Sequence, residues 1–264
     1  MASQKSYIKL KGNLQDLCYY QLNGVDIVRK ASGPSKERIN NDPAFANVKA
    51  NNQEFGMASK LSKAIRKGLG ANALQFKDTY MASRLSGTCR KIIQKGAGEL
   101  GHREASILNM PESLIVFQLN KSVPFSQIYT AKPIITGNNQ RNVVTVTIPN
   151  SSQNNCKSIP KSATHFKLTG VANTVSNYNW HQNSKTYKAE HPQQNELATT
   201  VNTQALLINA NHTNVQIQLP IPINNPLATS VAITVWLGIT YGQVENNQFI
   251  PFQTAKSMQC IGVI

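Results

Sequence analysis

Residues 231–240 read VAITVWLGIT, a run of β-branched and large apolar side chains that carries no charge. Such a run between turn-forming residues is typical of a β-strand. Residues 143–148 (VVTVTI), 215–219 (VQIQL) and 256–264 show related patterns. Clusters rich in Asn, Gly and Ser separate these segments, at 137–139, 150–152, 224–226 and 245–247. Several short strands with such turns predict an antiparallel β-sandwich, immunoglobulin-like or jelly-roll-like, over residues 105–264.

Upstream, the hydrophobic period changes from two residues to 3.6 residues, which predicts helices. Asp42-Pro43 resembles a capped helix start and predicts a short helix over 43–50. Residues 54–69 form the clearest helix, with an apolar face of Ala58, Leu61, Ile65 and Leu69. A second long helix is predicted over 73–95, with an apolar face of Leu74, Met81, Leu85, Cys89 and Ile92.

The first residues of the chain predict a β-hairpin over 7–28. Residues 7–11 alternate between apolar and polar side chains, and 17–22 form a longer run. Asn23-Gly24 follows, a strong two-residue hairpin signal because both positions tolerate positive φ. The expected fold class is therefore α+β, with a basic hairpin-plus-helical region over 1–104 and an all-β sandwich domain over 105–264.

Positive charge is concentrated in the helical region. The chain has 27 basic and 12 acidic residues, a net charge of +15. Residues 29–104 hold 15 of the basic and 6 of the acidic groups, so they carry +9. Such a surface attracts nucleic acid, anionic lipid or an acidic protein, or it only keeps the chain in solution. The candidate basic surface comprises Lys60, Lys63, Arg66, Lys67, Arg84, Arg90, Lys91 and Lys95.

The usual motifs of enzymes, metal sites and cofactor sites are missing from the sequence. The five histidines form no close metal-binding pair, and the four cysteines contain no CxxC motif. Residues 96–101 (GAGELG) spell GxGxxG but follow a predicted helix, so they predict a turn rather than a cofactor loop. Glu190 and Glu196 could meet across a loop. Trp180 could stack on a sugar or a base, although a loop aromatic that covers the edge of the sandwich core is the preferred interpretation. We expect a non-enzymatic protein without catalytic residues, cofactor, bound metal or disulfide.

The N-terminal hairpin is the candidate assembly element. A lone hairpin is only marginally stable in water. This one must pair with a sheet, either in its own chain or in another copy. Its apolar residues are Leu10, Leu17, Tyr19, Tyr20, Leu22, Ile27 and Val28. The first hypothesis is thus a self-assembling structural protein, such as a subunit of a filament or phage-like particle. The alternative is a non-specific nucleic-acid-binding protein that uses the basic helices.

The front of the chain resembles a protein family of unknown function that is common in Bacteroidota. The resemblance rests on 12–29 (GNLQDLCYYQLNGVDIVR), 33–39 (GPSKERI), 41–45 (NDPAF) and 51–56 (NNQEFG), followed by the basic helix. It covers residues 12–104 and implies a cytoplasmic or phage-related bacterial origin, but no activity or site residue. The scattered cysteines and the absence of an apolar leader or membrane span also favour the cytoplasm.

Overall fold

The computed structural model describes residues 2–31 and 33–264. The α+β prediction is confirmed, since about 26% of the chain is helical and 38% lies in antiparallel strands. The chain forms two compact units, one that ends at Lys49 and one that spans Ala50–Ile264. The second unit contains both the main helices and the sandwich. The change from helices to strands, which the sequence places near residue 104, therefore lies inside this unit.

The N-terminal unit contains the predicted hairpin within a four-stranded antiparallel sheet. Its strands are β1 (Ala2–Ser3), β2 (Gly12–Leu14), β3 (Leu17–Leu22) and β4 (Val25–Lys30), in the order β1-β4-β3-β2. The β3–β4 turn has positive φ at Asn23 and Gly24, as the Asn-Gly pair predicts. The hairpin thus pairs with two short strands of its own chain.

The predicted strand at residues 7–11 is wrong. The Gln4 side chain accepts a hydrogen bond from Leu10 N at 2.9 Å and donates one to Leu10 O at 3.2 Å. These side-chain bonds occupy the backbone groups that a sheet partner would need. Leu10 therefore lies outside the sheet, and the strand forms later, at Gly12–Leu14.

The helices begin with α1 (Lys36–Asn41), whose N-cap Ser35 accepts a hydrogen bond from Arg38 N. Asp42 caps the next turn by accepting from Ala44 N at 3.0 Å, as the Asp-Pro pair predicts. This turn is only a 3-10 helix over Pro43–Phe45, and α2 (Ala46–Leu69) follows without a gap. The predicted separation of a 43–50 helix from a 54–69 helix is wrong.

The predicted helix 73–95 is two helices, α3 (Ala71–Phe76) and α4 (Met81–Ile93). The break forms around Asp78, whose backbone N–H donates to Leu119 O at 3.0 Å. Its carboxylate accepts from the N–H groups of Tyr80 and Lys121, both at 2.9 Å. The break also removes Leu74 from the predicted apolar face, where Met81, Leu85, Cys89 and Ile92 are buried while Leu74 is 70% exposed.

Two antiparallel sheets form the sandwich. The larger has the order β10-β7-β13-β14 with β11 beside β7, and the smaller has the order β12-β6-β5. A separate pair, β8–β9, lies between β7 and β10 in the chain. The strands are β5 (Ile134–Gly137), β6 (Val143–Ser151), β7 (His165–Val175), β8 (Tyr178–His181), β9 (Thr186–Ala189), β10 (Ala198–Asn202), β11 (Leu206–Leu207), β12 (His212–Pro220), β13 (Ala232–Glu245) and β14 (Gln248–Val263).

The larger sheet is buried on both faces. Leu168 and Leu237 pack with the smaller sheet, against residues such as Val146. On the opposite face, Val171 and Trp236 pack against the helices. The second unit therefore has three layers: helices, larger sheet and smaller sheet. This explains why 231–240 is apolar at nearly every position rather than at alternate ones.

The packing of α2 on β7 leaves no room at Gly68. A Cβ built there lies 2.4 Å from the side chain of Asn173 on β7. We expect Gly68→Ala to destabilise the protein by about 1–3 kcal/mol, because the helix must move off the sheet. The matched control is Gly56→Ala in the same helix, where a Cβ meets no atom within 4 Å. That change is expected to stabilise by about 0.5–1 kcal/mol. Urea unfolding measures both, and equal effects would contradict this packing.

Candidate interaction surfaces

The predicted division of α2 into an apolar and a basic side is present in the structure. Leu61, Ile65 and Leu69 are fully buried against the larger sheet. Lys60, Lys63 and Lys67 are exposed, whereas Arg66 is half-buried. The basic side therefore consists of three exposed lysines and one half-buried arginine.

Two of these lysines contact the rest of the unit. Lys60 Nζ donates to Thr186 Oγ1 on β9 at 3.3 Å. Lys67 forms an ion pair with Glu196, which precedes β10, and this contact raises the pKa of Lys67. Exposed ion pairs of this kind add little stability, so Lys67 remains available to a stronger anionic partner.

The two arginines of α4 have structural contacts. Arg84 Nη2 lies 2.6 Å from Asp78, its Nη1 donates to Gln118 O at 3.0 Å, and its guanidinium lies over the Phe117 ring at 5.1 Å. Arg90 Nη2 donates to Asn51 at 3.3 Å. Arg84 and Arg90 are both half-buried, while Lys91 and Lys95 are exposed. In the predicted basic surface, the five lysines are therefore exposed and the three arginines are half-buried.

A cleft of about 330 Å³ lies where α2 ends, α3 runs and α4 begins. Its lining includes Lys63, Arg66 and Lys67, and also Lys77, which is not part of the predicted basic surface. Lys77 belongs to this group because the chain leaves the helix at that residue. The local sequence contains no signal for this break, since Asp78 is held by residues 119 and 121.

The hairpin residues are more exposed than a packed sheet allows. Leu17 and Leu22 are exposed, and Tyr19, Tyr20, Ile27 and Val28 are half-buried. None of the described residues from Ala2 to Lys49 is buried. The large exposed apolar side chains of this unit are Tyr7, Ile8, Leu10, Leu14, Leu17, Leu22, Val25 and Val48.

The GxGxxG segment at 96–101 is a loop that holds α2 and β9 together. Gly101 N donates to Glu54 Oε1 at 2.9 Å, and the hydroxyl of Tyr187 donates to Gly101 O at 3.1 Å. Glu54 is fully buried and forms an ion pair with Arg103. Trp180 lies on β8, where its ring stacks on His102 with centroids 4.3 Å apart. The 96–101 loop, Glu54 and Trp180 thus all contact other residues of the second unit.

The potentially reactive side chains lie in different environments. Burial raises the pKa of Cys89 and of Cys260 to about 12, and it raises the pKa of Cys156. Such thiols stay protonated at neutral pH and are poor nucleophiles. Glu196 pairs with Lys67, whereas Glu190 lies 3.6 Å from His191 Nε2. Over residues 2–31 and 33–264, no group of three or more His, Cys, Asp or Glu side chains is arranged to hold a metal ion.

Comparison of the chain with family models, with curated proteins and with solved structures found no match. Among the helices of the described residues, none combines the length and the apolar character needed to cross a bilayer.

The cysteines provide a test of these environments. All four are free, and Cys18 is half-buried on β3 while the other three are buried. At a pH of about 8, iodoacetamide is expected to modify Cys18 and to leave Cys89, Cys156 and Cys260 intact, because their thiols are protonated and inaccessible. Mass spectrometry counts the modified thiols, with Cys18→Ser as the control that should show no labelling until the protein is unfolded. Labelling of native Cys18→Ser would contradict the buried positions.

Proposed function

We propose that this chain is a non-enzymatic structural protein that assembles with copies of itself through its N-terminal unit. The observation that carries the proposal is that none of the described residues 2–31 and 33–49 is buried. A small sheet without a core gains too little from apolar burial to offset the entropy of ordering its chain. A partner surface that covers these apolar side chains supplies the missing burial.

The shape of the sheet favours a second copy as that partner. β2 pairs with β3 only from Leu17 to Tyr19. On that side, none of the described strands lies beside Gln21 and Leu22. The edge of an antiparallel strand is complementary to itself, because a two-fold axis brings identical backbone groups into register. Addition of the same edge from another copy would extend the sheet.

Charge gives this assembly a characteristic response to salt. Each copy carries +15, so copies repel one another at low ionic strength. Apolar contact and strand pairing do not depend on that repulsion. Added salt screens the repulsion and therefore strengthens self-association, whereas it weakens binding to nucleic acid.

The assembly test replaces exposed leucines of the N-terminal unit. Leu14→Ser with Leu22→Ser should weaken self-association, because each buried leucine contributes about 1.5–3 kcal/mol at a contact, or roughly tenfold or more in Kd. The control pair is Ile134→Ser with Leu207→Ser, two similarly exposed residues of the sandwich. Sedimentation velocity over a range of concentrations measures both pairs. A natural chain that stays monomeric, or a control pair that dissociates equally, would refute the proposal.

Nucleic-acid binding by the helices is the second candidate function. The observation in its favour is a group of exposed lysines: Lys60, Lys63 and Lys67 on α2, Lys91 on α4, and Lys95 just after the end of α4. Such lysines bind phosphates without reading bases, by releasing condensed counterions.

We expect Lys60→Gln, Lys91→Gln and Lys95→Gln together to weaken duplex binding and to flatten its salt dependence, by a slope of about 0.9 for each lost phosphate contact. Fluorescence anisotropy of a labelled duplex at several salt concentrations provides the measurement.

The control for that experiment removes the same charge from the sandwich, at Lys132, Lys157 and Lys161, which are also exposed. If both triple variants lose the same slope, net charge rather than the helical surface binds the duplex. That result would remove nucleic-acid binding by these helices as a function.

A further inference from the structure

The cleft between α2, α3 and α4 collects positive charge that the protein does not neutralise. Lys63, Arg66, Lys67 and Lys77 all line it. Among the described residues, no ion pair includes Lys63, Arg66 or Lys77. Lys67 alone has a carboxylate partner, the exposed contact to Glu196. Like charges placed this close destabilise the fold, so the cluster represents a cost that a bound anion would remove.

The one acidic residue of the cleft does not supply that anion. Burial of the Asp78 carboxyl opposes its ionisation, but the backbone N–H of Lys121 and the guanidinium of Arg84 outweigh burial and hold its pKa below the usual range. Its oxygens accept from Arg84, Tyr80 N and Lys121 N. The negative charge of Asp78 is therefore used to hold the break between α3 and α4.

Arg66 adds a second sign of an absent acceptor. Its Nε is buried and, like the Nε of Arg84 and Arg90, has no hydrogen-bond partner among the described residues, but Arg84 and Arg90 donate to protein acceptors from their Nη atoms. A buried N–H of a charged group without an acceptor costs roughly 1–3 kcal/mol or more. Guanidinium groups match the paired oxygens of phosphate, which makes phosphate the anion best suited to Arg66 and the neighbouring lysines.

Apart from Asp78 and Thr79, the rest of the lining consists of Gly70 and apolar side chains. Ala73 and Met81 are buried at the cleft, and Leu74 is 70% exposed beside it. α4 also begins here: its N-cap Tyr80 makes no side-chain cap bond, and its first residues, Met81 and Ala82, line the cleft, so the positive end of the helix dipole lies at this site. A volume of about 330 Å³ is at the lower end of the range of small-molecule sites. The site thus combines cations with an apolar wall.

We propose that this cleft is a binding site for an organic phosphate, in which Lys63, Arg66 and Lys77 bind the phosphate and Leu74 with Met81 contacts the attached body. The site lies wholly within the second unit and does not depend on assembly through the N-terminal sheet. Two sources carry this chemistry, a free nucleotide and a phosphate of single-stranded nucleic acid.

The experiment titrates the full chain with adenosine diphosphate, adenosine and a short single-stranded oligothymidylate, by calorimetry. Adenosine diphosphate is expected to bind, while adenosine, which has the same body without phosphate, is not. Lys63→Gln with Lys77→Gln should weaken binding by about tenfold or more, because two charge-assisted contacts are lost. Lys91→Gln with Lys95→Gln removes the same charge at and just after the C-terminal end of α4, outside the cleft, and should change the affinity by less than about twofold.

Thermal unfolding supplies a second measurement that a general effect of charge would not reproduce. Without ligand, Lys63→Gln with Lys77→Gln should unfold at the same temperature as the natural chain or a higher one, because repulsion is relieved. With adenosine diphosphate present, the melting temperature should rise for the natural chain and for the Lys91/Lys95 variant, but not for the Lys63/Lys77 variant.

The outcomes distinguish a free nucleotide from nucleic acid as the source of the phosphate, and they also show when the proposal is wrong. Binding of the diphosphate alone identifies a free nucleotide as the source, and binding of both probes with the same loss in the cleft variant identifies nucleic acid. The proposal is overturned if neither phosphate probe binds, if adenosine binds as well as its diphosphate, or if both lysine pairs lose the same affinity. None of these results depends on whether the chain self-associates.

Discussion

The close approach of α2 to β7, at Gly68 and Asn173, is the constraint on which the second unit depends. Because Gly68 has no side chain, the helix backbone comes near enough to the sheet for Leu61, Ile65 and Leu69 to be buried. This contact covers one face of β7 and β13, and the smaller sheet covers the other face. A sheet that is buried on both faces needs apolar side chains on both faces, and this explains why residues 231–240 are apolar at nearly every position.

Local periodicity predicts much of this fold, and its errors have long-range causes. The apolar face of α2 and the strands of the sandwich follow from side-chain spacing alone. The strand expected at residues 7–11 fails because Gln4 occupies the backbone of Leu10. The helix expected over 73–95 fails because residues 119 and 121 bind Asp78 from a distance in the sequence. Neither interaction has a sequence signature, since amide and carboxylate side chains are common in loops as well as in helices.

The candidate basic surface was predictable in position but not in composition. Helical geometry correctly places Lys60, Lys63 and Lys67 opposite the buried leucines. It cannot distinguish an arginine that binds the protein from one that faces solvent, because both lie off the apolar face. The long guanidinium side chains of Arg84 and Arg90 reach acceptors on other segments, at Gln118 O and Asn51 Oδ1. Lys91 remains exposed.

The break between α3 and α4 connects the failure of local prediction with the candidate ligand site. A continuous helix would keep Leu74 in line with the buried residues, whereas the break buries Phe76 in the core instead. The break also places Lys77 in the same cleft as Lys63 and Arg66, exposes Leu74 beside them, and starts a new helix whose first residues line that cleft. The side chains of Asp78 and Arg84 stabilise this geometry with a half-buried ion pair and four hydrogen bonds to backbone groups. Departures from local sequence preference that the rest of the structure stabilises tend to mark functional sites, and here the departure itself creates the cluster of unneutralised cations.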